Sequence, residues 1–169
     1  MNEIFSSEEM KRFEQGQFLK RSSYSFMQKA GDQIFKFINI RFKNKRPTIV
    51  LCGPGNNGGD GYIVAGLAYQ RGLAAIVVAL TDPGKLKGDA KGAYDWAVAQ
   101  GVDICTVKDI ELDDVDVIVD AILGTGLSGD VRPDYAAVIT QINEAKQPVI
   151  AADIPSGLCS DTGSVLGCA

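Results

Sequence analysis

Histidine is absent from all 169 residues. That absence removes imidazole acid–base catalysis, Ser-His-Asp triads and nearly all zinc sites. The cysteines are few and unpaired in pattern: Cys52, Cys105, Cys159 and Cys168 show no C-x-x-C spacing. This is the usage expected of reduced thiols in a cytoplasmic protein. No apolar run approaches the roughly 18 residues that cross a bilayer. The first residues carry Glu3, Glu8 and Glu9 without an apolar stretch, so neither a secretory signal nor a transit peptide is expected. Internal repeats, linkers and low-complexity segments are also missing.

What is present is a chain that is 46% hydrophobic and 22% charged, sized for a single domain spanning 1–169. A domain of this length buries about two-thirds of the surface its unfolded chain exposes. Charge is unevenly spread. Residues 1–46 hold ten Lys/Arg against five Asp/Glu, net +5; residues 47–169 hold seven against sixteen, net −9. The basic segment interleaves its charges with acids and with apolar residues at helical spacing. It reads as a solvated helix face, so neither nucleic acid nor membrane is expected as a partner.

Two helices are expected at the start. Ser6 or Ser7 can cap the first, with Glu8 and Glu9 in its first turn. In the second, Phe26, Met27, Ala30, Ile34, Phe35 and Ile38 recur at three- and four-residue spacing. After Pro47 the period changes. Thr48–Cys52 is a short apolar run between Pro and Gly, as in a buried parallel strand. Ala74–Leu80, Val102–Val107 (the weakest), Val115–Leu123 and Pro148–Ala152 look similar. Helix-length stretches separate them: Tyr62–Arg71, Asp89–Gln100 and Pro133–Ala145. Alternation at this pitch means an α/β domain with a parallel sheet and helices on both faces.

In such sheets ligands sit beyond the carboxyl ends of the strands, and three of those ends carry unusual sequence. The first is Gly53-Pro-Gly-Asn-Asn-Gly-Gly-Asp-Gly61, with five glycines in nine residues. Glycine permits positive φ and close approach of backbone to a ligand, and the loop leads into a helix N-terminus suited to phosphate. It contains G-x-G-x-x-G at Gly53, Gly55 and Gly58, and Asp82 lies near the place of a dinucleotide fingerprint's acid. Pro54 and the added Gly59-Asp60-Gly61, however, are expected to delay the helix beyond the usual start. The second is Val119–Leu127, where Asp120 interrupts an apolar strand. A carboxylate there must either bond to backbone N–H groups or meet a cation or substrate. The third is Ala152-Asp153-Ile-Pro-Ser156-Gly157. Asn57, Asp120 and Ser156 offer only oxygens of the kind that suit a hard cation. Asp153 remains as a proton-transfer group of the kind whose pKa burial can raise toward neutrality.

The strings at 53–61, 119–127 and 152–158, with Met27-Gln-Lys-Ala-Gly31 ahead of them, resemble the NAD(P)HX epimerases, the YjeF N-terminal domain family. The resemblance covers nearly the whole chain. It implies a Rossmann-like three-layer αβα sandwich with a mainly parallel central sheet, preceded by N-terminal helices. It also implies an isomerase that interconverts the R and S forms of NADHX and NADPHX, hydrated cofactors bearing a hydroxyl at C6 of the nicotinamide ring. A dehydratase, separate or fused, would be the partner in cofactor repair, and the subunit would pair as a homodimer. Carried over, the substrate-binding loop falls on Asn56, Asn57, Gly58, Gly59 and Asp60. A second loop falls on Gly124, Thr125, Gly126, Leu127, Ser128, Gly129 and Asp130, and the substrate carboxylate on Asp153. Potassium ligands fall on Asn57, Asp120 and Ser156. Lys85, after the second strand, is a weaker candidate for the site and otherwise an exposed loop lysine. Family domains run further, adding strands and a helix after Gly163-Ser164-Val165. The chain is therefore expected to be a fragment or a shortened variant, with a sheet edge left open. Two other readings of the same residues remain: a non-catalytic binding scaffold on this fold, and a NAD-dependent dehydrogenase.

Overall fold

Strand β1, Thr48–Cys52, is the centre of the domain. All five of its residues are buried, because in a parallel sheet both faces are covered and a continuous apolar run is required. The computed structural model describes residues 5–18, 21–42, 46–107 and 111–169. Helices α1 (Ser7–Phe18) and α2 (Ser23–Arg41) precede β1. Helix α3 (Asn56–Gln70) follows it, then β2 (Ala75–Ala79), α4 (Gly88–Gln100), β3 (Asp103–Thr106), β4 (Val117–Ala121), α5 (Pro133–Glu144) and β5 (Val149–Ala151). The strands form one sheet in the order β3-β2-β1-β4-β5, and every pairing is parallel.

Alternation along the strands sorts the core into two layers. Val50, Cys52, Val77, Val117, Val119 and Ala121 face α2, α3 and α4. Ile49, Leu51, Val78, Ile118 and Ile122 face α5, which meets them with Tyr135, Val138, Ile139 and Ile142 at helical spacing. Each such fully buried aliphatic side chain contributes about 1.5–3 kcal/mol. The three layers and parallel sheet are as expected. The expected weak strand is β3, an edge strand with no buried residue.

Two expectations are corrected. Helix α3 begins at Asn56, six residues ahead of Tyr62, so the run Gly58-Gly59-Asp60-Gly61 is helical rather than a delaying loop. None of Gly53, Gly55, Gly58, Gly59 or Gly61 has positive φ. Their function is close approach. A Cβ on Gly53 would overlap the Ile122 carbonyl oxygen, and one on Gly58 would overlap the Gly53 carbonyl. At Gly59 it would lie 2.5 Å from Met27 Cε of α2, and at Gly61 2.8 Å from Cys52 Sγ of β1. Packing outweighs the roughly 1 kcal/mol by which glycine disfavours a helix interior. On α2 the buried face is Met27, Gly31, Phe35 and Ile38, so Gly31, not the exposed Ala30, meets α3.

Helix α1 buries none of its residues. Ser6 and Glu9 cap it reciprocally: the Glu9 amide donates to Ser6 Oγ at 3.3 Å and the Ser6 amide to Glu9 Oε2 at 2.8 Å. Its long-range hydrogen bonds run from the Ser7 amide and hydroxyl to the Asp161 carboxylate, at 2.7 and 2.5 Å. None of the four cysteines is in a disulfide, and no helix among the described residues is long and apolar enough to cross a membrane.

Candidate functional site

The chain runs outward from β1 to β2 and β3, then returns to lay β4 on the other side of β1. The carboxyl ends of β1 and β4 therefore flank the switch point at which open α/β sheets bind ligands. The β1 tip is Gly53–Gly55, leading into α3, and the β4 tip is Ile122–Gly124. The β5 tip, Ala152–Ser156, lies beyond it, tied in by the Ala152 amide donating to the Asp120 carbonyl at 2.9 Å.

Two pairs of the expected residues meet here. Asp120 is buried and shares the α5-facing side of β4 with Ile118 and Ile122. Its carboxylate accepts from the Ser156 hydroxyl at 2.6 Å, the Ser156 amide at 2.8 Å and the Ile122 amide at 3.2 Å. Burial raises its pKa, and these hydrogen bonds pull against that rise. Backbone N–H groups, one of the partners open to this acid, thus bond to it, together with a hydroxyl. Ser156 Oγ in turn accepts from the Leu123 amide at 2.9 Å.

Asn57 and Asp153 form the second pair, around Gly124. A Cβ at Gly124 would lie 2.5 Å from Asp153 Oδ2 and 3.4 Å from both Cβ and Cγ of Asn57. Only a glycine lets these two side chains close on the β4 tip. Asp153 Oδ2 accepts from the Thr125 amide at 2.8 Å. Both polar atoms of the Asn57 side chain are buried without a hydrogen-bond partner, an arrangement that leaves a desolvation penalty of about 1–3 kcal/mol unless a ligand answers it. The adjoining residues Leu123 and Gly124 link the two pairs.

The remaining candidates scatter. No side chain caps α3 at Gly55, so the first-turn amides around Asn56, Asn57 and Gly58 are left for an anion. In the second loop, Gly124 and Thr125 adjoin Asp153. Gly126, Ser128, Gly129 and Asp130 are exposed, Leu127 packs on the α5-side core, and Asp130 lies against Gly167. Lys85 is exposed on a single 3-10 turn, Pro83–Lys85. Asp82 caps that turn by accepting from the Gly84 amide at 2.9 Å. The early start of α3 brings the first loop closer to a dinucleotide fingerprint than expected, but Asp82 already serves its own turn.

Asp153 is exposed, which corrects the expectation that burial acts on it. Besides Asp120, burial acts on the carboxyl of Asp60, on α3. Desolvation first, then the charges of Asp153 and Glu14, push it up to about 7. Spacing alone offered one signal: an acid followed at once by a buried run, Gly61 to Ala65. The folded chain binds this proton more tightly than the unfolded chain, in which an Asp titrates near 3.8. The resulting stabilisation is complete below about pH 4 and is lost as pH rises through about 7. Asp60→Asn is accordingly expected to raise stability near pH 8 by a few kcal/mol at most, and to make little difference near pH 3. Thermal unfolding of both proteins at the two pH values checks this.

The sequence model described as "YjeF-related protein N-terminus" matches residues 23–169. Proteins named bifunctional NAD(P)H-hydrate repair enzyme Nnr are similar. That of Coxiella burnetii is 42% identical over 148 residues, covering 88% of this chain and 30% of its own. That of Vibrio cholerae is 37% identical over 167 residues, covering 97% and 34%. That of Escherichia coli is 38% identical over 144 residues, covering 85% and 28%. The chain thus spans about a third of the length of these relatives. The crystal structure of yeast ynu0 (YNL200c) superposes with a TM-score of 0.84 at 18% identity, covering 97% of this chain and 75% of that one, and shares the fold. With the matched region running from α2 through all five strands and the three strand tips, the chain belongs to the family of YjeF-related protein N-termini.

Proposed function

We propose that the protein is an isomerase that interconverts the R and S forms of hydrated NADH and NADPH in the repair of nicotinamide cofactors. The observation that carries this reading is the closure of Asn57 and Asp153 on Gly124, at the switch point of the sheet. A carboxylate, an orphaned amide and the uncapped start of α3 adjoin there. C6 of the hydrated ring is a carbinolamine carbon. Its hydroxyl can leave as water when protonated, because the ring nitrogen lone pair forms a double bond to C6 and leaves a planar cation. Water adding from the other face inverts the centre. Asp153, held by the Thr125 amide, moves the proton at the C6 oxygen. The first-turn amides of α3 and the loop from Gly124 hold the polar remainder of the nucleotide.

Asn57, Asp120 and Ser156 are proposed to hold a potassium ion. An oxygen-only set with one carboxylate suits a hard monovalent cation, and the orphaned Asn57 amide supports the fit. When bound, the ion supplies positive charge and order to the loops after β1, β4 and β5. Replacing potassium with tetramethylammonium is expected to lower turnover severalfold, restored on adding potassium back; chromatography of the two epimers reads both effects. The proposal extends to a homodimer in the cytoplasm with a NAD(P)HX dehydratase as partner, in line with the repair function named for the longer relatives. Epimerisation in isotopically labelled water tests the chemistry. Loss and return of water puts one labelled oxygen on C6 at each inversion, whereas inversion with full retention of the original oxygen overturns this mechanism.

A further inference from the structure

The three strand tips hold no lysine or arginine. Residues 53–61, 122–130 and 152–158 carry Asp60, Asp130 and Asp153 as their only charged side chains. The pyrophosphate of the substrate proposed above would meet amides and carboxylates there, so a side-chain cation has to come from another element. Helix α1 is placed to supply one. Its start is tied to a hairpin in which Leu158 bridges Val165 and Asp161 lies between them. The Ser7 amide and hydroxyl donate to the Asp161 carboxylate. That hairpin adjoins the end of the second loop: the Val131 amide donates to the Leu166 carbonyl at 2.9 Å, and Gly167 lies against Asp130. The other end of α1 reaches α2, where the Phe18 and Phe26 rings meet edge to face with centroids 5.6 Å apart. Beside Phe26, Met27 packs on Gly59 at the start of α3. The two anchors of α1 thus stand on opposite flanks of the crevice. Its 12 residues span about 18 Å, enough to pass over the tips of strands about 4.8 Å apart.

Ser7 and Phe18 define the inner face of α1. Residues 7, 11, 14 and 18 follow one another at spacings of four, three and four, so Lys11 and Glu14 share that face. Lys11, one turn from the Asp161 anchor, makes no ion pair among the described residues. Glu14 lies one turn further toward α2, and its charge is felt at Asp60 of α3. Arg12 projects from the other side of the helix and pairs with Glu8 at 3.2 Å. No residue of α1 is buried. A helix of this length without packing is marginal by itself, so α1 can lift from the domain at little cost.

We propose that α1 is a strap over the mouth of the crevice and that Lys11, on its inner face, binds a phosphate group of the nucleotide. The proposal rests on the epimerase reading and deepens it. The nucleotide enters when α1 lifts from Asp161. The strap then closes with the Lys11 ammonium donating to phosphate oxygens on the side of the loop from Gly124. Closure forms charge-assisted hydrogen bonds and no covalent bond. Lys11 is a binding residue with no part in the proton steps at C6.

The test compares Lys11→Ala with Arg12→Ala, which removes the same charge from the other side of the same helix. Both residues are exposed, so both variants keep the fold. With a purified R epimer of NADPHX as substrate, Lys11→Ala should raise KM about three- to tenfold at little-changed kcat. Lys11→Arg should restore most of the loss, and Arg12→Ala should stay within about twofold of wild type. Hydrogen exchange of the wild type gives a readout apart from turnover. The amides of α1 should exchange fast in the free protein and severalfold more slowly with saturating NADPHX. The same KM in Lys11→Ala as in Arg12→Ala, or α1 exchange unchanged by NADPHX in protein that turns it over, overturns the proposal and leaves the epimerase reading standing. Failure of the folded wild type to epimerise NADPHX overturns both.

Discussion

Replacing Asp153 by Asn is expected to leave the domain folded and to lower epimerisation by a factor of about 10²–10⁴, the range that a positioned acid–base group contributes. Folding should survive because Asp153 is exposed and its hydrogen bond is made as an acceptor, from the Thr125 amide at 2.8 Å. An asparagine side-chain oxygen can accept the same bond. What the amide cannot do is exchange a proton with the C6 oxygen. The loss should therefore fall on kcat rather than KM, since the contacts that hold the nucleotide remain. Circular dichroism and thermal unfolding establish the fold, and steady-state assay of each epimer gives the split. Turnover within about twofold of wild type would remove Asp153 from proton transfer.

The second large effect is on stability. Gly53→Ala is expected to destabilise the protein by about 3 kcal/mol or more, or to abolish the soluble fold, because overpacking against rigid backbone has no cheap relief. The added Cβ would overlap the Ile122 carbonyl oxygen and lie 2.8 Å from its carbonyl carbon. Both belong to the main chain at the tip of β4, held in place by the Ile122 amide bonding to Asp120. Neither side can rotate away, as a flexible side chain could. Gly55→Ala is the matched control: nothing lies within 4 Å of its Cβ position and φ is −101°. Its cost should stay near or below about 1 kcal/mol, the worth of a helix N-cap. Denaturant unfolding of the two variants separates glycine needed for contact from glycine needed for flexibility.

The strands were legible because a buried parallel strand must be apolar throughout. Thr48–Cys52 has the same bounds in sequence and structure, and β5 loses one residue from each end of the expected run. The expected run at Val115–Leu123 overshoots β4 because Ile122 and Leu123, though apolar, have left the ladder to turn toward Ser156. The start of α3 was not legible. Its glycines oppose a helix by local preference, and the closeness of β4 and α2 that favours them appears only in three dimensions. That Asp60 is half-buried was hidden for the same reason. The turn carrying Asp60 is covered by Met27 and Gly31, about 30 residues earlier in the chain, whereas Asp153 ends its strand in the open. The grouping of Asp120 with Ser156, by contrast, follows from an acid in an apolar strand having to find donors, and the neighbouring strand tip provides them.

The reading turns on one reaction. A single purified R epimer of NADPHX, incubated with the protein in potassium buffer and followed by chromatography, should give the S epimer at a rate far above the spontaneous one until the two reach equilibrium. Folded protein that leaves the R epimer to change only at the rate seen in buffer alone would contradict the account.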